Sequence, residues 1–497
     1  MSSLAPDPLG TTRRVVGAVS GLLQRWWSTP AEAPEPTVGL VLSGGGAGAG
    51  FQLGALHYLY EVVGIAPSVI TGTSAGSMLA AVLAQGEDHQ GQRAMLDHLD
   101  RVGQRFRQPA DMMVELEWFG ELQKLSPTWQ RALAARPVRH EPRTITLPAL
   151  TLAGPRRSRA GTVRPATGTV IRLPRWDPSP VLDTLSMLWN VGRSGTDFDA
   201  LLRGARQERS MFRPGPVFDW MLDPGVLDPE RLARSATELR IAVVGLESGE
   251  LRYVTGRGEL VDREDRPVPG AARIPVTDAV RASCAIPAIF PPVALDGEHY
   301  VDGGTRENAP VEIAVKHLEV DRCFAIISLP RGLAPESDYA DKNIFSIVLR
   351  STAGIMSDEV QVNDLALARA AGAVVIAPEV NLTGLLNVDP GLLSIASDYG
   401  WLRAAEACEN ATPAEQQLVR ELVETRRLCW ELENERFGPT PTPAPERESG
   451  DLPGLKLRIR ELLGQIPGSR LPRGAGSWWR QWEAHLYDID EAPFWLA

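Results

Sequence analysis

An α/β fold with a mainly parallel central sheet is the architecture this sequence predicts, and two observations predict it. From Val38 to about Gln104, short apolar runs alternate with segments of helical length, the rhythm of successive β-α units. Past about Met211 the strand-length apolar runs return, in "LRIAVVGLESGELRYVT", "CFAIISL" and "AVVIAPEV".

Taken in order, "GLVLS" reads as a buried strand, followed by four glycines in five residues (Gly44, Gly45, Gly46 and Gly48) and a helix over Gln52–Val63. "SVITGTSAG" is a strand running into a turn, and "SMLAAVLAQG" is the helix that leaves it. Residues from about 105 to 205 read differently. "DMMVELEWFGELQKL" is predicted as a helix, and the rest is rich in Arg, Pro, Gly and Thr with no helical period. It reads as an insertion over the surface, whose positive charge suits anionic headgroups or nucleic acid as well as plain solvent. Farther on, "SGE" turns one strand into the next, and Asn343–Ala371 is helical between the last two strands. The α/β unit is bounded at 37–402, interrupted by that insertion, with amphipathic helices over 403–437, a Pro-rich linker over 438–454 and a tail over 455–497. Trp478, Trp479, Trp482 and Trp495 crowd that tail and read as a clamp on the core, with a partner or a membrane interface as alternatives. Ahead of all this, residues 1–36 form a leader. On a helical projection Val15, Val19, Leu22 and Trp26 align, with Arg13, Arg14 and Arg25 opposite. Residues 13–27 therefore suit either peripheral contact with a membrane or docking on the protein's own surface.

Composition narrows the classes. A net charge of −11 and a pI near 5.3 leave no cationic excess for phosphates, so no nucleic-acid partner is expected. Cys284, Cys323, Cys408 and Cys429 stand far apart with no C-x-x-C pair, which predicts neither a zinc site nor a disulfide framework and makes a reducing cytoplasm the default. No apolar run of about eighteen residues predicts a membrane span, and no signal-peptide core is evident.

Three stretches carry chemistry. Gly72-Thr73-Ser74-Ala75-Gly76 satisfies G-x-S-x-G between an apolar strand and a helix. A nucleophilic hydroxyl projecting from so tight a turn needs small flanking residues, which Gly72 and Gly76 provide. The plainer alternative is Ser74 as a helix N-cap. The Gly44–Gly46 turn fits neither nucleotide fingerprint: no lysine follows it, and no acidic ribose partner stands about twenty residues on. Consecutive backbone N–H groups at a helix start still make an anion nest, which acyl transfer needs for its oxyanion. The third stretch, "YVDGGTREN", holds Asp302 before Gly303 and Gly304. After Asp302 only His317 and His485 remain, the first in a packing helix and the second in the tail. Asp302 is therefore the better base for Ser74, if partial burial raises its proton affinity. A hairpin turn is the plain reading of D-G-G by itself.

Together "SGGGAGAG", "GTSAG" and "VDGG", in that order, resemble the patatin-like phospholipase family. "RASCAIPAIFPPVALDGEHYVDGG", "MFRPGPVFDWM" and "LRIAVVGLESGELRYV" extend the resemblance over roughly 38–104 and 210–402. It implies a three-layer α/β sandwich and a Ser74–Asp302 dyad. It implies a glycine-loop oxyanion site, no metal and no cofactor. The expected activity is hydrolysis of a phospholipid or another lipid ester, of phospholipase A or lysophospholipase type, by an enzyme in the cytoplasm, either free or peripheral on a membrane surface. A transacylase on the same dyad and a non-catalytic membrane-associated scaffold are the rivals. One departure stands out: many members carry Arg or Lys where this chain has Gly48, and glycine where it has Ala49.

Overall fold

The computed structural model describes residues 36–120, 208–333, 350–437 and 452–472, with positions 335, 339, 347 and 348 between. The leader, most of the basic segment, most of the Pro-rich linker and the Trp-rich end of the tail lie outside the described residues. In chain order the first part supplies β1 (Val38–Leu42), α1 (Ala49–Tyr58), β2 (Val69–Gly72), α2 (Ala75–Leu83), α3 (His89–Gly103) and β3 (Met113–Glu115). From residue 208 come β4 (Phe212–Pro214), β5 (Glu238–Gly245), β6 (Leu251–Thr255), β7 (Leu260–Val261), α4 (Val276–Ser283), β8 (Val293–Leu295) and β9 (Glu298–Asp302). The last part gives β10 (Arg322–Ile326), α5 (Ser357–Ala370), β11 (Val374–Ile376), α6 (Pro390–Glu409), α7 (Pro413–Phe437) and α8 (Leu452–Gln465).

Among the described residues, the main sheet runs β11-β10-β1-β2-β5-β6-β7, with β9 on β5 and β8 on β9. The stretch from β11 to β5 is parallel throughout, and the antiparallel pairings are those of β5 with β6 and with β9, of β6 with β7 and of β8 with β9. Strand alternation explains the layers. Leu40 and Leu42 join Ile70, Phe324 and Ile326 in the larger core, under α1, α2 and α6. Val41, Val69, Cys323 and Ala325 point the other way, against Ala309, Val311 and Ala314 and against Leu365 and Ala368 of α5. A sheet covered on both faces reads as an unbroken apolar run, as "GLVLS" does. Each fully buried Leu or Val adds about 1.5–3 kcal/mol.

The helix predicted at 111–125 is not formed at its start. Met113–Glu115 instead pairs antiparallel with Phe212–Pro214, and among the described residues Glu117–Gly120 turn helical. Pairing with a strand distant in sequence, which no local pattern reveals, overrides the helical composition. Residues 105–120 therefore belong to the fold, and β3 and β4 bring together the two ends of the segment 121–207.

Helix α6 crosses the boundary drawn at residue 402 and packs along α1 as part of the core. The two backbones touch: a Cβ on Gly400 would lie 1.9 Å from the Phe51 carbonyl oxygen, and one on Gly54 would lie 1.7 Å from that of Ser397. Gly400→Ala is accordingly expected to destabilise the protein by about 3 kcal/mol in denaturant unfolding. Gly464→Ala, with open space around its position, should be neutral or slightly stabilising. On α6 rests α7, through Arg426 to Asp398 at 2.9 Å, and on α7 rests α8, through a buried Lys456–Glu433 pair at 2.7 Å. Helix α8 begins at Leu452, inside the predicted linker. No described helix is long and apolar enough to cross a membrane.

Candidate active site

Strand β5 brings the two sequence motifs together. On the side away from β6 it carries β2 in parallel over Glu238–Ile241, then β9 antiparallel over Val243–Gly245. β2 and β9 thus run toward each other along one flank of β5 and stop on either side of Ala242. Out of β2 comes Thr73-Ser74; out of β9 come Asp302 and Gly303. The meeting is tight, since a Cβ on Gly303 would lie 2.6 Å from the Ala242 carbonyl oxygen.

Ser74 sits at φ 53, ψ −130, outside the regions an L-residue ordinarily adopts. Such strain, about 1–3 kcal/mol, persists only where the surroundings enforce it. Here the Ser74 N–H donates to Ser283 Oγ at 2.9 Å, and Ser77 Oγ donates to the Ser74 carbonyl at 2.6 Å. The flanking glycines are steric necessities: a Cβ on Gly72 would lie 2.6 Å from the Gly76 carbonyl oxygen, and one on Gly76 would lie 2.4 Å from that of Leu42.

Asp302 is 5% exposed, and burial pushes its carboxyl up from the ordinary 3.8 to about 7. The Ser74 hydroxyl and the Gly304 N–H, which donates to Oδ1 at 2.8 Å, hold it partly back. A carboxyl titrating near neutrality can both take and return a proton. D-G-G here is a strand end entering a 3₁₀ turn, and the hairpin turn lies before it at Asp296-Gly297. The neighbouring Cys284 thiol is pushed well up by burial and by the Asp302 charge, so it stays protonated beside Ser74.

The glycine loop lies across from the dyad. Gly44 donates its N–H to the Asn308 carbonyl at 2.9 Å, Ala47 to Leu385 at 3.0 Å and Gly48 to Gly45 at 2.9 Å. Among the described residues, the N–H groups of Gly45 and Gly46 have no acceptor. Both positions have positive φ (154° and 52°), and a Cβ at Gly46 would lie 2.1 Å from the Leu385 carbonyl oxygen. Gly48 is closed by Ser328, whose carbonyl oxygen would stand 2.7 Å from an added Cβ. The family's cationic side chain therefore has no room at that position in this chain.

Two cavities meet at Ser74. The larger, about 480 Å³, is lined by Leu53, Met78, Val102, Phe106, Phe290 and Leu386. The smaller, about 250 Å³, holds Asp302, Gly44 and Gly45 with Asn308, Leu329 and Met356. The fold thus gathers Ser74, Asp302 and the glycine loop in one place. His317 stays away from it, at the end of a helical turn over Ile313–His317. Sequence reasoning assigned no role to Thr73, Ser283 or Asn308, although Asn308 closes the quoted "YVDGGTREN". Their spacing carries no signal, because their partners are groups distant in sequence.

Comparison with known proteins agrees with this geometry at the level of family. Among curated proteins none matches the chain. Two solved structures resemble it at 14% identity. VipD from Legionella pneumophila covers 88% of this chain and 82% of its own, with a TM-score of 0.32. The heterodimeric ExoU–SpcU complex from the type III secretion system of Pseudomonas aeruginosa covers 88% and 68%, with a TM-score of 0.19. The family model for patatin-like phospholipase matches residues 40–315, more than half of the sequence and all three motifs. The chain belongs to the patatin-like phospholipase family.

Proposed function

We propose that the protein hydrolyses lipid acyl esters, of phospholipase A or lysophospholipase type, through Ser74 and Asp302 without a metal. The observation that carries this reading is the head-on arrival of β2 and β9 on β5, which sets a strained serine against a buried carboxylate between two largely apolar cavities. Asp302 takes the Ser74 hydroxyl proton as Oγ attacks the ester carbonyl. The oxyanion lies in the Gly44–Gly46 turn, on the N–H groups of Gly45 and Gly46, with Gly44 engaged by Asn308. Collapse expels the alcohol, which recovers the proton from Asp302 and leaves an acyl-enzyme. Asp302 then deprotonates a water whose attack on the acyl-enzyme releases the fatty acid, and the proton returns from Asp302 to Ser74 Oγ. The 480 Å³ cavity takes the acyl chain.

Hydrolysis of a p-nitrophenyl ester and of a fluorescent lysophospholipid in EDTA tests this reading. Turnover should persist, and a chelator-sensitive enzyme would sink it. The acidic limb of kcat/KM should titrate with an apparent pKa of about 7, because only ionised Asp302 accepts the serine proton. A limb near 4 would mean that the base is exposed or is another group. A transacylase would use the same acyl-enzyme. Adding a glycerolipid acceptor and analysing products separates the two, since transfer consumes the acceptor and hydrolysis does not.

A further inference from the structure

Behind the glycine loop lies a set of contacts that the reaction described above does not use. Asp364, on α5, accepts two backbone N–H groups with one carboxylate oxygen, Asn308 at 2.7 Å and Ala309 at 2.8 Å. Gln361, one turn earlier on α5, accepts from the Asn308 side-chain amide at 3.1 Å and donates to the Leu329 carbonyl at 3.1 Å. The strip so held is tied to both halves of the site. Its Asn308 carbonyl accepts from Gly44 at 2.9 Å, and its Glu307 carbonyl accepts from Thr73 Oγ1 at 3.1 Å. Asn308 Oδ1 stands where side chains on Gly44 or Gly304 would collide with it, at 2.5 and 3.2 Å from their added Cβ atoms. Residues 307–309 therefore touch the oxyanion loop, the turn before the nucleophile and the turn after the base.

We infer that Asp364, with Gln361, is a positioning residue for the oxyanion site, acting through Asn308 on Gly44. The inference rests on the Ser74–Asp302 reading above. Two N–H groups converging on one oxygen fix the peptide plane between Asn308 and Ala309, and with it the direction of the carbonyl that anchors Gly44. Gly45 and Gly46, the next two residues of the loop, have no anchor of their own through N–H among the described residues. Misplacing an otherwise intact donor by about 1 Å lowers the rate by about 10²-fold, and losing one lowers it by about 10²–10³.

Asp364→Ala should therefore lower kcat on the p-nitrophenyl ester about 10- to 100-fold with KM within about twofold, and slow labelling of Ser74 by a fluorophosphonate to a similar extent. Asp364→Asn keeps one oxygen that can accept both N–H groups and should recover most of the loss. Rescue by Asn separates positioning from charge. A merely structural role would move KM, folding and kcat together and would show no such split. If Asp364→Ala does not fold, Gln361→Met, which drops the side-chain anchor of Asn308 and the bond to the Leu329 carbonyl but leaves both Asp364 bonds in place, is read in its place for at least a several-fold loss in kcat. Wild-type kcat in the folded variant, or a loss in Asp364→Asn equal to that in Asp364→Ala, overturns the inference. Wild-type protein that neither turns over nor labels would instead overturn the parent reading and this one with it.

Discussion

Ser74→Ala is expected to lower kcat by about 10⁵-fold or more while leaving the protein folded. Removal of the nucleophile from such a unit takes away nearly all of the covalent route, and what is left is binding and oxyanion stabilisation. The backbone at Ser74 has φ 53, a strain Ala bears no better and no worse, so the turn has no new reason to rearrange. The Ser74 N–H bond to Ser283 and the Ser77 bond to the Ser74 carbonyl survive, because both use the main chain of residue 74. Circular dichroism and melting should match wild type, and fluorophosphonate labelling should vanish. A kcat within tenfold of wild type would remove Ser74 from the mechanism.

Asp302→Asn should move activity and stability in opposite directions. Loss of the base is expected to lower kcat by up to about 10⁴-fold, since the serine hydroxyl then has no group positioned to accept its proton. Stability should rise. Burial lifts the Asp302 carboxyl from 3.8 to about 7, so the folded protein holds that proton more tightly than the unfolded chain. The sign follows from linkage: the carboxyl is harmless below about pH 4, and it destabilises the fold progressively as pH rises from there through 7. Above pH 7, where the group is ionised in the folded and unfolded chain alike, the full penalty is roughly 4 kcal/mol. Asn carries no such charge and can still accept from Gly304. At pH 8 the variant should be about 2–4 kcal/mol more stable in denaturant unfolding, and at pH 4 the two proteins should coincide. Glu307 and Asp364, raised by burial to about 8 and about 7, steepen the same decline but are present in both proteins. Equal stability at pH 8 would mean that Asp302 is not buried as a charge.

Much of this fold was legible because its strands are covered on both faces. "GLVLS" and "CFAIISL" each start one residue after their strand begins, and "AVVIAPEV" contains its strand whole, all in the parallel part of the sheet, where an unbroken apolar run is what double burial requires. The glycines around Ser74 were legible for a related reason, since close approach of backbones leaves only one residue type. What stayed hidden depends on pairing across the chain. Met113–Glu115 looks helical until its partner at Phe212–Pro214 is known. Gly44 looks like one of three equivalent donors, yet Asn308, far along the sequence, engages its N–H. Asp364 lies in the helical stretch Asn343–Ala371 with nothing in the sequence to single it out, and only the fold places it under the backbone of Asn308.

The flank of β5 on which β2 and β9 meet also bears on how this protein is made. Ser74, the proposed nucleophile, leaves the ribosome with β2, the strand that pairs with both β2 and β9 is made well afterward, and Asp302, the proposed base, follows later still with β9. No contact near in sequence can bring Ser74 and Asp302 together in the interval. A nascent or truncated chain therefore carries a serine with nothing to activate it. On the proposed mechanism the enzyme passes through synthesis inert, and its activity appears only when the second half of the sheet closes on the first.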